Sequence, residues 1–257
     1  MTSTDDIERN FAACERLCQE AKKQGAVTLV LPECFAFLGR GDGDLMRMSE
    51  PLDGPLFSRF KALAVTFGLE ICFGGFPEKH SPTHAYNAHV VVGPDGSTRA
   101  LYRKIHLFDV VLPSSTLRES AATTPGTDLV VADGAVGKLG LTVCYDLRFP
   151  ELYRALASKG AQVLLVPAAF TLTTGKEHWE VLLRARAIEN QAYVIAPAQQ
   201  GRHPRDRMTW GHAMIVDPWG LVTARASEGE GLAMAEFDGA LLARIRKSLP
   251  ALQHRRL

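Results

Sequence analysis

The sequence predicts an α/β protein in which mixed sheets are covered by helices. Three observations carry this expectation. Strand-like runs outnumber helical ones, several of them are joined as hairpins, and helical periodicity recurs between them. A purely parallel, doubly wound sheet does not fit a chain so rich in hairpins. No tandem repeat, linker or low-complexity stretch interrupts the 257 residues, so one domain spanning 1–257 is expected.

The elements follow in order. In "STDDIERNFAACERLCQEAKKQGA", Ile7, Phe11, Cys14, Cys18 and Ala21 recur at helical spacing, with Ser3 or Thr4 as the cap and Gly25 as the stop. "AVTLVLPE" reads as a buried strand. "GPLFSRFKALAVTFG" reads as a helix opened by Pro55 and closed by Gly68. "LEICFGGF" is a further strand. "NAHVVVGPDGSTRALYRK" is a hairpin about Pro94-Asp95-Gly96. A loop-rich stretch from Leu107 to Gly126 follows, containing Pro113, Ser114, Ser115 and Pro125. Then come strand "KLGLTVC", helix "PELYRALASKG", strand "AQVLLVPAAF" and helix "GKEHWEVLLRARAIENQ". Strands "AYVIAPAQQ", "GHAMIVDPWG" and "GLAMAEFD" precede a last helix, "GALLARIRKSL".

Composition narrows the function. Hydrophobic residues make up 46% of the chain, enough for a large core without disulfides. A formal net charge of +1 supplies no footprint for nucleic acid or an anionic membrane. No apolar run is long enough to span a bilayer. The five cysteines are odd in number, lack paired CxxC spacing and follow no signal peptide, which points to a reducing, cytoplasmic compartment. His178, His203 and His212 fit no metal-binding spacing, so neither metal nor other cofactor is expected.

Three strand ends carry reactive side chains: Glu33 after "LVLP", Lys104 after "ALYR" and Cys144 after "GLTV". Ligand sites on α/β folds gather at strand ends. A thiol, a carboxylate and an ammonium are the parts of an acyl-transfer site, as nucleophile, proton carrier and oxyanion stabiliser. The turn after Cys144 leaves backbone N–H groups free to face a substrate oxygen. Read singly, each residue has a plainer role. A lone cysteine at a strand end usually packs as a small hydrophobe, and a lone Glu or Lys there usually starts a loop. Whether Glu33 or Lys104 dominates the ionisation of a nearby thiol is left open by spacing alone.

The surrounding residues sharpen this reading. "LPECF", "YRKIHLFD" and "CYDLRFPELYRALASKGAQVLLVPAAF" resemble the signature stretches of the nitrilase superfamily of carbon–nitrogen hydrolases. The resemblance implies an α-β-β-α sandwich, a homodimer formed through helical faces, and a catalytic triad of Glu33, Lys104 and Cys144. It implies a thioester on Cys144, an oxyanion held by Lys104 and the N–H of Tyr145, and release of ammonia. Glu119, in "RES" where relatives have "QES", becomes a positioner of substrate or lysine. By family position, Phe170, Thr173, His178 and Trp179 become pocket walls.

"FTLTTGKEHWEVLLRARAIENQAYVIAPAQQGRH", "GHAMIVDPWG" and "SEGEGL" are similar to the deaminated glutathione amidase subfamily. Its substrate has two carboxylates, and the pocket cations are expected from Arg202, His203 and their neighbours. Two related chemistries stand beside it, an ω-amidase acting on α-keto dicarboxylic monoamides and an N-carbamoyl amine hydrolase. The resemblance also implies a strand ahead of Met1-Thr2-Ser3. Without it, unpaired backbone groups and an open groove are expected. That gap makes a non-enzymatic binding or assembly protein the rival class.

Overall fold

A computed structural model describes residues 1–112, 115–226 and 229–256. Helix α1 (Ile7–Lys23) packs Cys14 and Cys18 inward and is followed by β1 (Thr28–Leu31). Its cap is Asp6, not Ser3 or Thr4: Asp6 Oδ1 accepts from Arg9 N–H at 3.1 Å. Ser3 is instead buried, its Oγ donating to Phe35 O and its N–H to Gln199 Oε1. The short helix α2 (Asp42–Met48) was hidden by glycines in "GDGD". Helix α3 (Pro55–Phe67) begins at the expected proline and ends on left-handed Gly68.

Strands β2 (Glu70–Lys79), β3 (Ala85–Val92) and β4 (Thr98–Arg103) follow as a meander. The stretch from Leu107 to Gly126 is less irregular than its composition suggests. It carries a hairpin of β5 (Asp109–Leu112) and β6 (Ser115–Arg118), then a 3₁₀ turn at Glu119–Ala121. Pro113 and Ser114 of that stretch, and Ser227 and Glu228 of "SEGEGL", lie outside the described residues.

The second half alternates strand and helix. It runs β7 (Val131–Gly134), β8 (Gly137–Leu141), α4 (Pro150–Ser158), β9 (Val163–Leu165), α5 (Leu172–Asn190) and β10 (Tyr193–Ala196). A small hairpin of β11 (Gln200–Arg202) and β12 (Met208–Trp210) comes next, then β13 (Met214–Val216), β14 (Val222–Arg225) and α6 (Gly239–Ser248).

Two mixed sheets result. One has the order β1-β2-β3-β4, parallel only between β1 and β2. The other has the order β14-β13-β10-β9-β8-β7, with a parallel centre (β8, β9, β10) and antiparallel edges. Side-chain alternation divides the first sheet between two cores. Ile71, Phe73, Val90 and Val92 pack with α1 and α3, whereas Cys72, Val91, Ala100 and Tyr102 meet Leu139, Leu141 and Leu164 of the second sheet. Leu156 of α4, Leu183 of α5 and Leu242 of α6 join that same core, so the layers run helix, sheet, sheet, helix.

"GLAMAEFD" departs from expectation. Residues 231–238 join no ladder among the described residues. Residues 231–237 line one wall of an apolar groove of about 610 Å³ whose other wall includes edge strand β1. A segment facing a groove has no neighbouring strand against which to close its hydrogen bonds.

Candidate active site

Both sheets deliver residues to one point. The first supplies Glu33 just past β1, Asn87 within β3 and Lys104 at the end of β4; the second supplies Cys144 past β8. Glu33, Lys104 and Cys144 are all buried, and all line a cleft of about 1370 Å³.

Cys144 sits at a tight elbow. Its backbone is left-handed, at φ 48°, a conformation costing a non-glycine residue of order 1 kcal/mol. The surroundings hold it there. Cys144 N–H donates to Pro167 O at 2.9 Å, which leaves the thiol at the start of a 3₁₀ turn, Cys144–Arg148. Buried Asp146 accepts from Val143 N–H, Tyr102 Oη–H, His106 N–H and His106 Nδ1, tying the elbow to the strand that carries Lys104. Arg186 donates from Nε and a terminal nitrogen to Leu147 O, at 3.1 and 2.8 Å, and also pairs with Glu189. Asp146 is thus a fixer of the turn. Arg186 is more than the helix salt bridge its spacing suggests. The N–H of Tyr145 has no hydrogen-bond partner among the described residues, as an oxyanion donor requires.

The carboxylate and the ammonium form one buried network. Lys104 Nζ donates to Glu33 Oε1 at 3.0 Å and to Glu119 Oε1 and Oε2 at 3.0 and 2.8 Å. Asn87 Nδ2 donates to Glu33 Oε1 at 2.9 Å and to Glu119 Oε1 at 3.0 Å. Ala169 N–H completes Glu33 at Oε2, and Phe108 N–H reaches Glu119 Oε2. Gly75 makes room: at φ 75°, a Cβ there would lie 2.8 Å from both Glu33 Cγ and Asn87 Oδ1. Asn87 and Gly75 carried no signal in the sequence, since each reads as an ordinary strand residue.

The ionisation left open by spacing is decided by this network. Burial alone would raise Glu33, but the Lys104 charge and the donated hydrogen bonds outweigh it and hold the carboxyl below its ordinary value. Burial would likewise lower Lys104, but Glu119 and Glu33 keep it well above the usual lysine value. Burial and the Glu33 charge push the Cys144 thiol well up, against the smaller pull of Lys104. The resting site therefore holds a carboxylate, an ammonium and a neutral thiol.

The expected pocket residues divide. Tyr145, Glu119, Phe170 and Thr173 line the cleft. Trp179 is fully buried behind Phe170, its Nε1–H donating to His212 O. His178 is exposed and accepts at Nδ1 from Arg148, 3.2 Å away. It is Arg148 that enters the cleft, over the Phe170 ring at 5.0 Å. Arg202 is also outside: it is exposed and paired with Asp206 at 3.0 Å. His203 is buried, bonded through Nδ1 to Ser3 O and through Nε2 to Thr209 Oγ1. "GRH" anchors a hairpin, and the cations it positions come later in the chain, at Arg205 and Arg207.

The profile of the family described as carbon–nitrogen hydrolase matches residues 1–247. The chain belongs to the carbon–nitrogen hydrolase family. It is a hydrolytic amidase of the nitrilase superfamily. This amidase is 48% identical to the Bos taurus protein named deaminated glutathione amidase, covering 100% of this chain and 80% of that one. It superposes on the crystal structure of the C. elegans NitFhit protein with a TM-score of 0.94 at 41% identity, covering 100% of this chain and 63% of that longer one. Against Saccharomyces cerevisiae Nit3, described as a member of branch 10 of the nitrilase superfamily, the TM-score is 0.86 at 31% identity. That match covers 100% of this chain and 93% of the other.

Proposed function

We propose that this amidase hydrolyses deaminated glutathione through a thioester on Cys144, with Glu33 and Lys104 as its partners. The observation that carries the chemistry is the shared network of Glu33, Lys104 and Glu119 in the cleft that holds the buried thiol. Identity of 48% to a protein named for that substrate supports the choice of amide.

Glu33 takes the thiol proton as Cys144 Sγ bonds to the carbonyl carbon. The carbonyl oxygen gains the electron pair and is met by Tyr145 N–H and Lys104 Nζ. Lys104 has two contacts to Glu119, so one N–H can turn to the oxyanion while the ion pair persists. Glu33 then gives the proton to the leaving nitrogen, the C–N bond breaks and the thioester forms. Water, deprotonated by Glu33, adds to the thioester carbon. The thiolate departs and recovers the proton. From a primary amide the leaving group is ammonia. From deaminated glutathione it is the amine of cysteinylglycine, because that nitrogen belongs to the dipeptide.

The test is turnover of deaminated glutathione against α-ketoglutaramate, read as amine or ammonia released and as acid formed. Deaminated glutathione is expected to have the higher kcat/KM. Faster turnover of α-ketoglutaramate makes the protein an ω-amidase instead. Cys144→Ala is expected to abolish turnover of both, and turnover at the parent rate in that variant rules out the thioester.

We propose further that residues 1–257 act as one domain, in the reducing cytoplasm, and as a homodimer. The five thiols are all free, which suits a reducing compartment. The helical layer supports the dimer. Val181 and Ile188 lie seven apart on one face of α5 and are 66% and 50% exposed, and the turn bearing Trp219 and Leu221 packs beside Ile188.

A further inference from the structure

The cleft is unevenly charged. Its acids are already matched: Glu33 and Glu119 by Lys104, Asp44 by Arg47 and Asp206 by Arg202. Its arginines are mostly not. Among the described residues, Arg205 and Arg207 form no ion pair, although both line the cleft. Arg207 Nε is buried with no hydrogen-bond partner among the described residues, a costly state for a cationic donor unless a ligand supplies the acceptor. Arg205 reaches across the mouth: a Cβ on Gly41 of the facing loop would lie 3.5 Å from its guanidinium.

The backbone is bent to present these two side chains. Arg205 and Asp206 are both left-handed, at φ 58° and 56°. Two consecutive non-glycine residues in that region cost of order 1–3 kcal/mol each and persist only where the structure imposes them. Here the hairpin β11–β12, the bond from His203 N–H to Arg207 O at 2.8 Å and the buried His203 side chain impose them. Arg207 also lies close enough to Cys34 to act on its thiol by charge, which sets it on the Glu33 side of the cleft. Glu33 is the group that protonates the leaving nitrogen, so the leaving group departs on that side.

We propose that Arg205 and Arg207 form a subsite for a carboxylate at the far end of the leaving amine, and so select amides whose amine half is itself an acid. This rests on the amidase reading above and extends it. The acyl half is set by the wall at Cys144, and the amine half by the hairpin tip. A guanidinium fork pairs with a carboxylate in two parallel hydrogen bonds, which gives direction as well as charge.

The experiment compares two substrates, deaminated glutathione and its analogue with the terminal glycine carboxylate converted to the carboxamide. The parent protein is expected to prefer the acid by roughly tenfold or more in kcat/KM, the loss typical of a charge-assisted bond. Arg205→Gln and Arg207→Gln are each expected to reduce that preference, and the pair to remove it. Calorimetric binding of cysteinylglycine to Cys144→Ala protein reads the subsite without turnover, and binding there should weaken in the same variants. Arg205 is exposed, so Arg205→Gln serves if Arg207→Gln fails to fold. Equal preference for the acid in parent and variants overturns the proposal, as does a parent with neither preference nor cysteinylglycine binding. A parent that binds cysteinylglycine but hydrolyses neither amide defeats the substrate reading and leaves the subsite standing.

Discussion

Glu33 and Glu119 share their donors: Asn87 Nδ2 and Lys104 Nζ each reach both carboxylates, at 2.9 to 3.0 Å on the two Oε1 atoms. Two acids, one buried and one partly so, are thereby gathered around one ammonium. The asparagine does part of the work of a second cation while remaining neutral.

Replacing Asn87 by Ala removes one donor from each acid. Glu33 then loses a stabiliser of its charged form, so its pKa rises and the acid limb of the kcat–pH profile moves upward. A fall in kcat of about tenfold at neutral pH is expected from the loss of one hydrogen bond to a charged group. A pH–rate profile that keeps its acid limb would remove Asn87 from the network's function.

Glu119→Gln leaves Lys104 with a single anionic partner in a buried site. Breaking one arm of a buried ion network typically costs about 3 kcal/mol. Both the midpoint of urea unfolding and kcat should fall, and Glu119→Asp should recover part of the stability. An unchanged midpoint would mean that water, and not Glu119, carries the lysine's charge.

The resting thiol is neutral, because burial and Glu33 hold its pKa well above the usual value. Alkylation of Cys144 by iodoacetamide should therefore be slow at neutral pH and still rising above pH ~9, where an ordinary thiol approaches its plateau. Cys34, in the same cleft, has its thiol pushed up to about 12 by burial and then by Glu33, and its alkylation should likewise be slow at neutral pH and still rising above pH ~9. A fast, pH-independent rate at Cys144 would indicate a preformed thiolate instead.

His89 links stability to pH. It is fully buried between the sheets, its Nδ1–H donating to Thr142 O at 3.0 Å, and burial lowers its pKa to about 4. The unfolded chain takes up this proton near pH ~6.5, the folded protein only near 4. The group's contribution is thus present above pH ~6.5 and lost as pH falls toward 4, amounting to about 2 kcal/mol by pH ~5. Urea unfolding at pH 7 and 5 should show this loss in the parent and a smaller one in His89→Gln.

The proposed dimer is tested at the α5 face. Val181→Glu places a charge on an exposed apolar stripe and should leave the catalytic cleft intact, because Val181 does not line it. Sedimentation is expected to give a dimer for the parent and a monomer for the variant. A parent that sediments as a monomer refutes the assembly.

What was legible in the sequence was periodic or punctuated. Apolar spacing gave α1, proline and glycine bounded α3, and the hairpin at Pro94-Asp95-Gly96 closed as its turn residues demand. The strand-end positions of Glu33, Lys104 and Cys144 were legible for the same reason, because each ends an apolar run. Residues that act through tertiary geometry were not. Asn87 resembles any polar residue on a strand, and its meaning comes from two acids 54 positions before it and 32 after it. The pocket cations were expected at Arg202, His203 and their neighbours, whereas the hairpin arginines that line the cleft stand three and five positions after Arg202, at Arg205 and Arg207. Nothing in a linear reading shows that a left-handed turn at Arg205 and Asp206 reverses which side chains face the cleft.

The β11–β12 hairpin has its own anchor in His203 and, among the described residues, shares no hydrogen bond with the Glu33–Lys104–Glu119 network. Its tip is accordingly an interchangeable part. A lineage could retool which molecules are cleaved by rewriting four or five codons there, while the machinery that does the cutting is inherited untouched.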